Sequence, residues 1–299
     1  MLGDMSNAIA EPGQDPAVLV RGLRKCYQGH QAVDGIDLDI SRGEVLALLG
    51  PNGAGKTTTV EILAGQRGRD AGTVEVLGQD PASGGRGRAG RGWRSRIGIV
   101  AQSAGTVPAL TVTELVRHIA GFYPRPRDPA EVIGLTGLTE KKDARIGLLS
   151  GGQARRLDVA LAVVGRPELL FLDEPTTGFD PKARRQFWDL IRQLSEDGTT
   201  ILLTTHYLDE AEALASRIAV IKAGRVVAQG APAELGGRTQ GSATVGWDGP
   251  GGRRAERTAA PTRLVLELTR EFGGEIPGLT VTRPALEDVY LELIGDSER

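Results

Sequence analysis

Nine consecutive residues, Gly50-Pro51-Asn52-Gly53-Ala54-Gly55-Lys56-Thr57-Thr58, have the make-up of a phosphate cradle. They fit the pattern G-x-x-x-x-G-K-[ST]. Glycines at these places let the backbone curl until its N–H groups point at an anion. A helix starting at Lys56 would add its positive end to the same spot. Lys56 is placed to neutralise β- and γ-phosphate oxygens, and the Thr57 hydroxyl to ligate Mg²⁺. The chain has 42 glycines, so chance matches to glycine are easy. It has only six lysines against thirty arginines, so a lysine at this position carries more weight.

A second group is acidic. Leu169-Leu170-Phe171-Leu172-Asp173-Glu174 is four hydrophobes followed by two carboxylates. A buried strand whose C-terminal end faces a ligand has this form. Asp173 is placed to hold Mg²⁺ directly or through water. Glu174 points the other way and is a candidate general base for an attacking water. On its own the run is equally well an acidic turn after a strand.

These residues need a frame. Glu44 to Leu49 is a short apolar run ending at Gly50, and Lys56 to Leu63 has the pattern of a helix. Ile36, Leu38 and Ile40 alternate, as do Val74 and Val76, which predicts half-buried strands. Leu169–Leu172, Thr200–Leu203 and Arg217–Ile221 are short buried strands alternating with helical stretches, which implies a parallel sheet. Residues 103–148 read as mostly helical, with Leu115, His118 and Ile119 on one face. Residues 82–96 are rich in Gly and Arg. One aromatic, Trp93, is too little for a base-stacking surface, so a solvated connector is expected. The composition shifts after Leu235. Residues 1–16 are expected as a flexible tail, 17–235 as the main domain, 236–261 as a Gly/Arg/Ala-rich linker and 262–299 as a small second domain. Leu286, Val289, Tyr290 and Leu293 form one helical stripe there.

Composition excludes several classes. A formal net charge of -2 gives no global attraction to nucleic acid or anionic lipid. One cysteine, Cys26, cannot close an internal disulfide, which points to a reducing compartment. The N-terminus lacks the basic and apolar segments of a signal peptide. Apolar runs such as Val159–Val164 are far shorter than the roughly 18 residues of a membrane helix. A cytoplasmic protein is expected, with any membrane role supplied by a partner.

Over about residues 17–235 the chain resembles the ATP-binding cassette family. Leu149-Ser150-Gly151-Gly152-Gln153 matches that family's signature motif and precedes Asp173 at the family's interval. Without the resemblance these residues would read as a helix N-cap. The resemblance implies a P-loop NTPase α/β cassette with an antiparallel β subdomain and a helical signature subdomain, followed by a small α+β domain. It implies ATP and Mg²⁺ as cofactors. It places Tyr27 against adenine, Gln102 at Mg²⁺, Asp180 in the loop crossing between protomers and His206 at the γ-phosphate. It also implies pairing, with Ser150 to Gln153 of one chain closing on the phosphates held by the other. His30 and His118 match no role and are expected to be structural or surface residues. Phe179 stands where leucine is more frequent, and Ala101 where proline is frequent; both affect packing more than chemistry.

The stretch Gly165 to Gly178 and the tail around Pro284 to Leu291 resemble ATPases of drug- and antibiotic-resistance exporters. An integral-membrane transporter subunit and a second ATPase subunit, forming a homodimer, are the implied partners. The implied location is peripheral, on the inner face of the cell membrane, and no nucleic-acid partner is expected. The alternative is a soluble cassette ATPase acting on ribosomes or DNA. The single cassette and the 94 positions between Lys56 and Ser150, too few for a long coiled coil, argue against it.

Overall fold

The fold is that of a computed structural model, which describes residues 15–83, 87–100, 108–235, 243–249, 251–283 and 285–295. The chain begins with an antiparallel hairpin, β1 (Val18–Tyr27) and β2 (His30–Ile40), turned at Gln28 and Gly29. Both turn residues have positive φ, as a two-residue hairpin turn that follows strand twist requires. After β3 (Val45–Leu49) and α1 (Lys56–Leu63), β4 (Ala71–Val76) returns to pair with β1. The first sheet is thus β2-β1-β4, the antiparallel subdomain.

The next stretch runs through α2 (Gly87–Arg94), β5 (Ile97–Val100), α3 (Val112–Ala120), α4 (Pro129–Leu135) and α5 (Gly151–Val163). It continues through β6 (Leu169–Asp173), α6 (Pro181–Glu196), β7 (Thr200–Thr205), α7 (Leu208–Leu214), β8 (Arg217–Lys222) and β9 (Arg225–Gly230). The main sheet has the order β5-β6-β7-β3-β8-β9 and is parallel except for the last strand. Every residue of β3, β6 and β7 is buried. That is why these strands are continuous apolar runs: both faces of a parallel sheet are covered. One core lies between this sheet and the first sheet with α1; the other lies under α3 to α7.

Three stretches differ from expectation. The predicted connector at 82–96 contains α2, because Trp93 is buried and its indole N–H donates to the Val76 carbonyl at 2.8 Å. The region 103–148 is less helical than predicted. Among its described residues, α3 and α4 are joined to α5 by short 3₁₀ turns at Thr139–Lys141 and Ile146–Leu148. The buried face of α3 is Val112, Leu115, Val116 and Ala120, while His118 points outward against the Phe122 ring.

The predicted linker also contains structure. β10 (Ala243–Gly249) and β11 (Gly252–Thr258) pair within it. They join α8 (Pro261–Phe272) and β12 (Thr280–Thr282) in a unit whose core is Val245, Trp247, Leu268 and Ile276. β11 is exposed along almost its whole length, so no apolar alternation marks it. The last helix, α9 (Leu286–Gly295), leaves that unit. Its Leu286 and Tyr290 enter the cassette core, and Lys222 Nζ donates to the Leu293 carbonyl at 3.1 Å. The predicted stripe is real, and it packs on this chain's own cassette.

Candidate nucleotide site

The phosphate loop leaves the buried end of β3 and runs into α1. Gly55 is the N-cap of α1 with φ 101°, and a Cβ there would lie 2.3 Å from the Ala32 carbonyl oxygen. A Cβ at Gly50 would lie 2.3 Å from the Ile221 carbonyl oxygen. Both positions therefore exclude side chains by packing. The loop is braced from behind, since Gly224 N–H donates to the Ala54 carbonyl at 3.0 Å.

Lys56 is buried, and its ammonium donates to the carbonyls of Gly50 at 2.7 Å and Pro51 at 3.1 Å. Burial holds it below its ordinary pKa, against the opposing pull of Glu174 and Asp173. A buried cation turned to its own loop's carbonyls is ready to exchange them for stronger anionic partners.

Asp173 and Glu174 end β6 beside β7. The Thr204 hydroxyl donates to Asp173 Oδ1 at 2.5 Å, and Thr204 accepts from the Glu174 N–H through its carbonyl at 3.1 Å and its hydroxyl at 3.0 Å. Glu174 has φ 45°, a conformation that costs a non-glycine residue of order 1 kcal/mol. That turn sends the two carboxylates in different directions. Glu174 Oε1 lies 3.6 Å from Lys56 Nζ and 3.5 Å from His206 Nδ1. The structure thus brings Lys56, Glu174 and His206 to one point.

An open cleft of about 520 Å³ lies over this point. Tyr27, His30, Ala32, Asn52, Gly53, Gly55, Lys56, Thr57, Thr58 and Glu174 line it. Tyr27 is in its lining, with Lys25 Nζ and Arg67 Cζ 5.4 and 5.3 Å from the ring centre. Ser150 to Gln153 are not in the lining. Ser150 is exposed and caps α5 through a capping box, in which its Oγ accepts from Gln153 N–H at 3.3 Å. Asp180 is likewise exposed and caps α6, accepting from Ala183 N–H at 2.8 Å. Gln102 lies outside the described residues.

Sequence reasoning missed three participants. His30 faces Tyr27 across the hairpin turn and lines the cleft, so pairing register was the available signal. Thr204 lies opposite Asp173 in the parallel ladder. Arg155 of α5 is buried, and its guanidinium donates to the carbonyls of Asp173 at 2.7 Å and Pro175 at 3.3 Å. It ties the helix begun by Ser150 to the loop that carries Glu174, and no spacing rule marks it.

Comparisons with known proteins show the chain's family. A family model described as ABC transporter matches residues 33–177. A daunorubicin/doxorubicin resistance ATP-binding protein of Streptomyces peucetius is 47% identical over 224 positions, covering 73% of this chain and 66% of that protein. A Nod factor export ATP-binding protein of Ralstonia nicotianae is 40% identical over 315 aligned positions, covering 96% of each chain. A solved dimeric ATP-binding cassette in a post-hydrolysis state, bound to ADP and phosphate, superposes with a TM-score of 0.65 at 25% identity, covering 72% of this chain and 98% of that one. The chain therefore belongs to the ABC transporter family, as an ATP-binding cassette ATPase.

Proposed function

We propose that this chain is the ATP-hydrolysing subunit of a membrane exporter, and that two copies close on ATP to drive it. The observation that carries the proposal is the division of the site. Lys56 and Glu174 line one cleft with His206 beside Glu174, while Ser150 to Gln153 lie outside that lining, with Ser150 and Gly151 exposed. Leu148, beside the signature, is 80% exposed.

In the proposed chemistry the phosphate loop and Lys56 hold the β- and γ-phosphates. Tyr27 stacks on adenine. Glu174 takes a proton as water attacks the γ-phosphorus, and the bond to the β-phosphate oxygen breaks. His206 and Gln102 orient the γ-phosphate and the water. Ser150 and the Gly151-Gly152 backbone of a second copy close the γ-phosphate, and Asp180 lies at the crossing between copies. Among the described residues no group of three or more His, Cys, Asp or Glu could hold a metal alone. The donors present, the Thr57 hydroxyl and the Asp173 carboxylate, suit a Mg²⁺ that arrives with the nucleotide and fills its shell with phosphate oxygens and water. Bound there, Mg²⁺ neutralises charge on the transferring phosphate.

Export is supported by the names of the relatives, a drug-resistance ATP-binding protein and a Nod factor export ATP-binding protein. Among the described residues no helix is long and apolar enough to cross a membrane; the membrane subunit of the proposal is a separate chain. The proposed docking face includes α3 and Phe122, which is 70% exposed. The proposed location is the inner face of the membrane, and the transported molecule contacts the partner. The test is to purify the tagged chain gently in detergent from its native cell. A co-purifying multi-span membrane protein, with ATPase activity lost in Lys56→Ala, supports the proposal. Ribosomal or DNA-repair proteins in its place would overturn the exporter and leave the ATPase.

A further inference from the structure

Glu210, in the first turn of α7, has no solvent exposure at all, and neither carboxylate oxygen has a hydrogen-bond partner. The Oγ1 of Thr176, Nε1 of Trp188 and Nε of Arg184 are also buried without partners. These five atoms are five of the seven such atoms among the described residues. Buried polar groups in folded proteins are nearly always satisfied, so five gathered in one place single this cluster out.

The chemistry of the cluster is one-sided. The groups facing the carboxylate are the Thr205 and Thr176 hydroxyls and the Trp188 indole, with the Arg184 guanidinium beyond. All of these can donate. Thr205 Oγ1 already accepts from the Tyr207 N–H at 2.9 Å, which leaves its own proton free to donate to Glu210. The three inner donors come from three separate pieces. Thr205 precedes His206, Thr176 follows Glu174 by two residues, and Trp188 stands on α6, which Asp180 caps. An outer clasp reinforces the arrangement. Arg184 bonds Asp209 at 3.2 Å and lies 4.4 Å from the Tyr207 ring centre.

We infer that Glu210 is a positioning residue for ATP hydrolysis, an acceptor hub that locks the His206 segment to the Glu174 segment and to the helix begun at Asp180. The inference rests on the placement of His206 and Glu174 at the γ-phosphate. Burial raises the Glu210 carboxyl above its ordinary pKa, and its facing donors oppose this only in part. Drawing those donors in favours the ionised acceptor and fixes the two loops together.

The test is Glu210→Gln in the full chain. The amide is the same size but keeps one acceptor oxygen, and its NH₂ finds no acceptor in the Trp188 indole or the Arg184 guanidinium, which only donate. We expect kcat for ATP hydrolysis to fall about tenfold to a hundredfold, the size of one lost charge-assisted hydrogen bond, with KM for ATP changed by less than about threefold. The double variant Glu210→Gln with His206→Ala should be no slower than His206→Ala alone, because both act through one group. Thr205→Val should reproduce the loss and Thr205→Ser should restore turnover. Full kcat in Glu210→Gln, or additive losses in the double variant, would overturn the inference. Should Glu210→Gln fail to fold, the Thr205 pair decides: normal turnover in Thr205→Val overturns it. Wild-type turnover in His206→Ala is a different result, which removes His206 from the γ-phosphate and the inference with it.

Discussion

Replacing Glu174 by glutamine separates binding from chemistry. Its carboxylate makes only loose polar contacts, with Lys56 at 3.6 Å and His206 at 3.5 Å. An amide of the same shape forfeits little there, so the fold and cleft should survive. A carboxylate this close to Lys56 lies within about 6 Å of a phosphate that Lys56 holds. At an effective dielectric of about 20, one unit of phosphate charge at that range is repelled by about 3 kcal/mol. Lys56 and a bound cation screen part of this, so ATP affinity should rise by about tenfold, equivalent to about 1.4 kcal/mol. The chemical step moves the other way. Loss of a general base lowers its rate about a hundred- to ten-thousandfold, or about 3 to 5 kcal/mol in barrier. If hydrolysis is what parts the two copies, the variant accumulates as a dimer in ATP and Mg²⁺. Fluorescent-nucleotide titration, phosphate release and light scattering read the three effects separately. Hydrolysis within about threefold of wild type refutes Glu174 as base. Weaker ATP binding refutes the electrostatic argument.

Gly55→Ala drives a Cβ to 2.3 Å from the Ala32 carbonyl at φ 101°; thermal denaturation should show a loss of about 3 kcal/mol, and ATP binding should be lost with it. Trp93→Ala removes a buried ring and its bond to Val76, which should cost about 4 kcal/mol in chemical denaturation. Asp80 accepts two bonds from Arg69, at 2.8 and 2.6 Å, and they hold its carboxyl below the ordinary 3.8. A depressed carboxylate stabilises the fold above that value and loses the contribution as pH falls through its folded pKa. Asp80→Asn should therefore cost at most about 1 kcal/mol at neutral pH, discounted for exposure, and the gap to wild type should close as pH drops below 3.8. Ser150→Asp keeps an equally good N-cap, so melting should match wild type. If Ser150 closes on a second copy's γ-phosphate as proposed, the added charge repels it, so ATP-driven dimerisation and turnover should fail; a normal dimer would remove Ser150 from the composite site.

The parts legible in the sequence share one property: a local pattern implies them. The buried parallel strands are continuous apolar runs, and the phosphate loop's spacing is a short-range geometric demand met by Gly50, Gly55 and Lys56. One strand of the antiparallel hairpin appeared in the alternation of Ile36, Leu38 and Ile40, all fully buried. What stayed hidden was either exposed or long-range. β11 carries no apolar alternation because almost none of it is buried. α2 hides behind Gly and Arg because a single ring, Trp93, anchors its C-terminal part. Thr204 and Arg155 act on Asp173 and Glu174 from 31 and 18 positions away, and only strand register and helix packing reveal them.

Arg155 explains how one exposed motif and one buried site can respond to each other. It sits on the first turns of the helix that Ser150 caps, and it grips the backbone on both sides of Glu174 at the carbonyls of Asp173 and Pro175. Protein interiors transmit displacement because they are close-packed, and a buried guanidinium holding two carbonyls is a rigid strut. Burial pushes the Arg155 guanidinium below its ordinary pKa, with Asp158 at 3.8 Å and Asp173 as the compensating charges. A shift of the signature helix when a second copy docks would therefore move the loop of Glu174 directly. In the proposed mechanism, hydrolysis becomes conditional on pairing because the proposed base and the proposed partner-facing motif hang on one side chain.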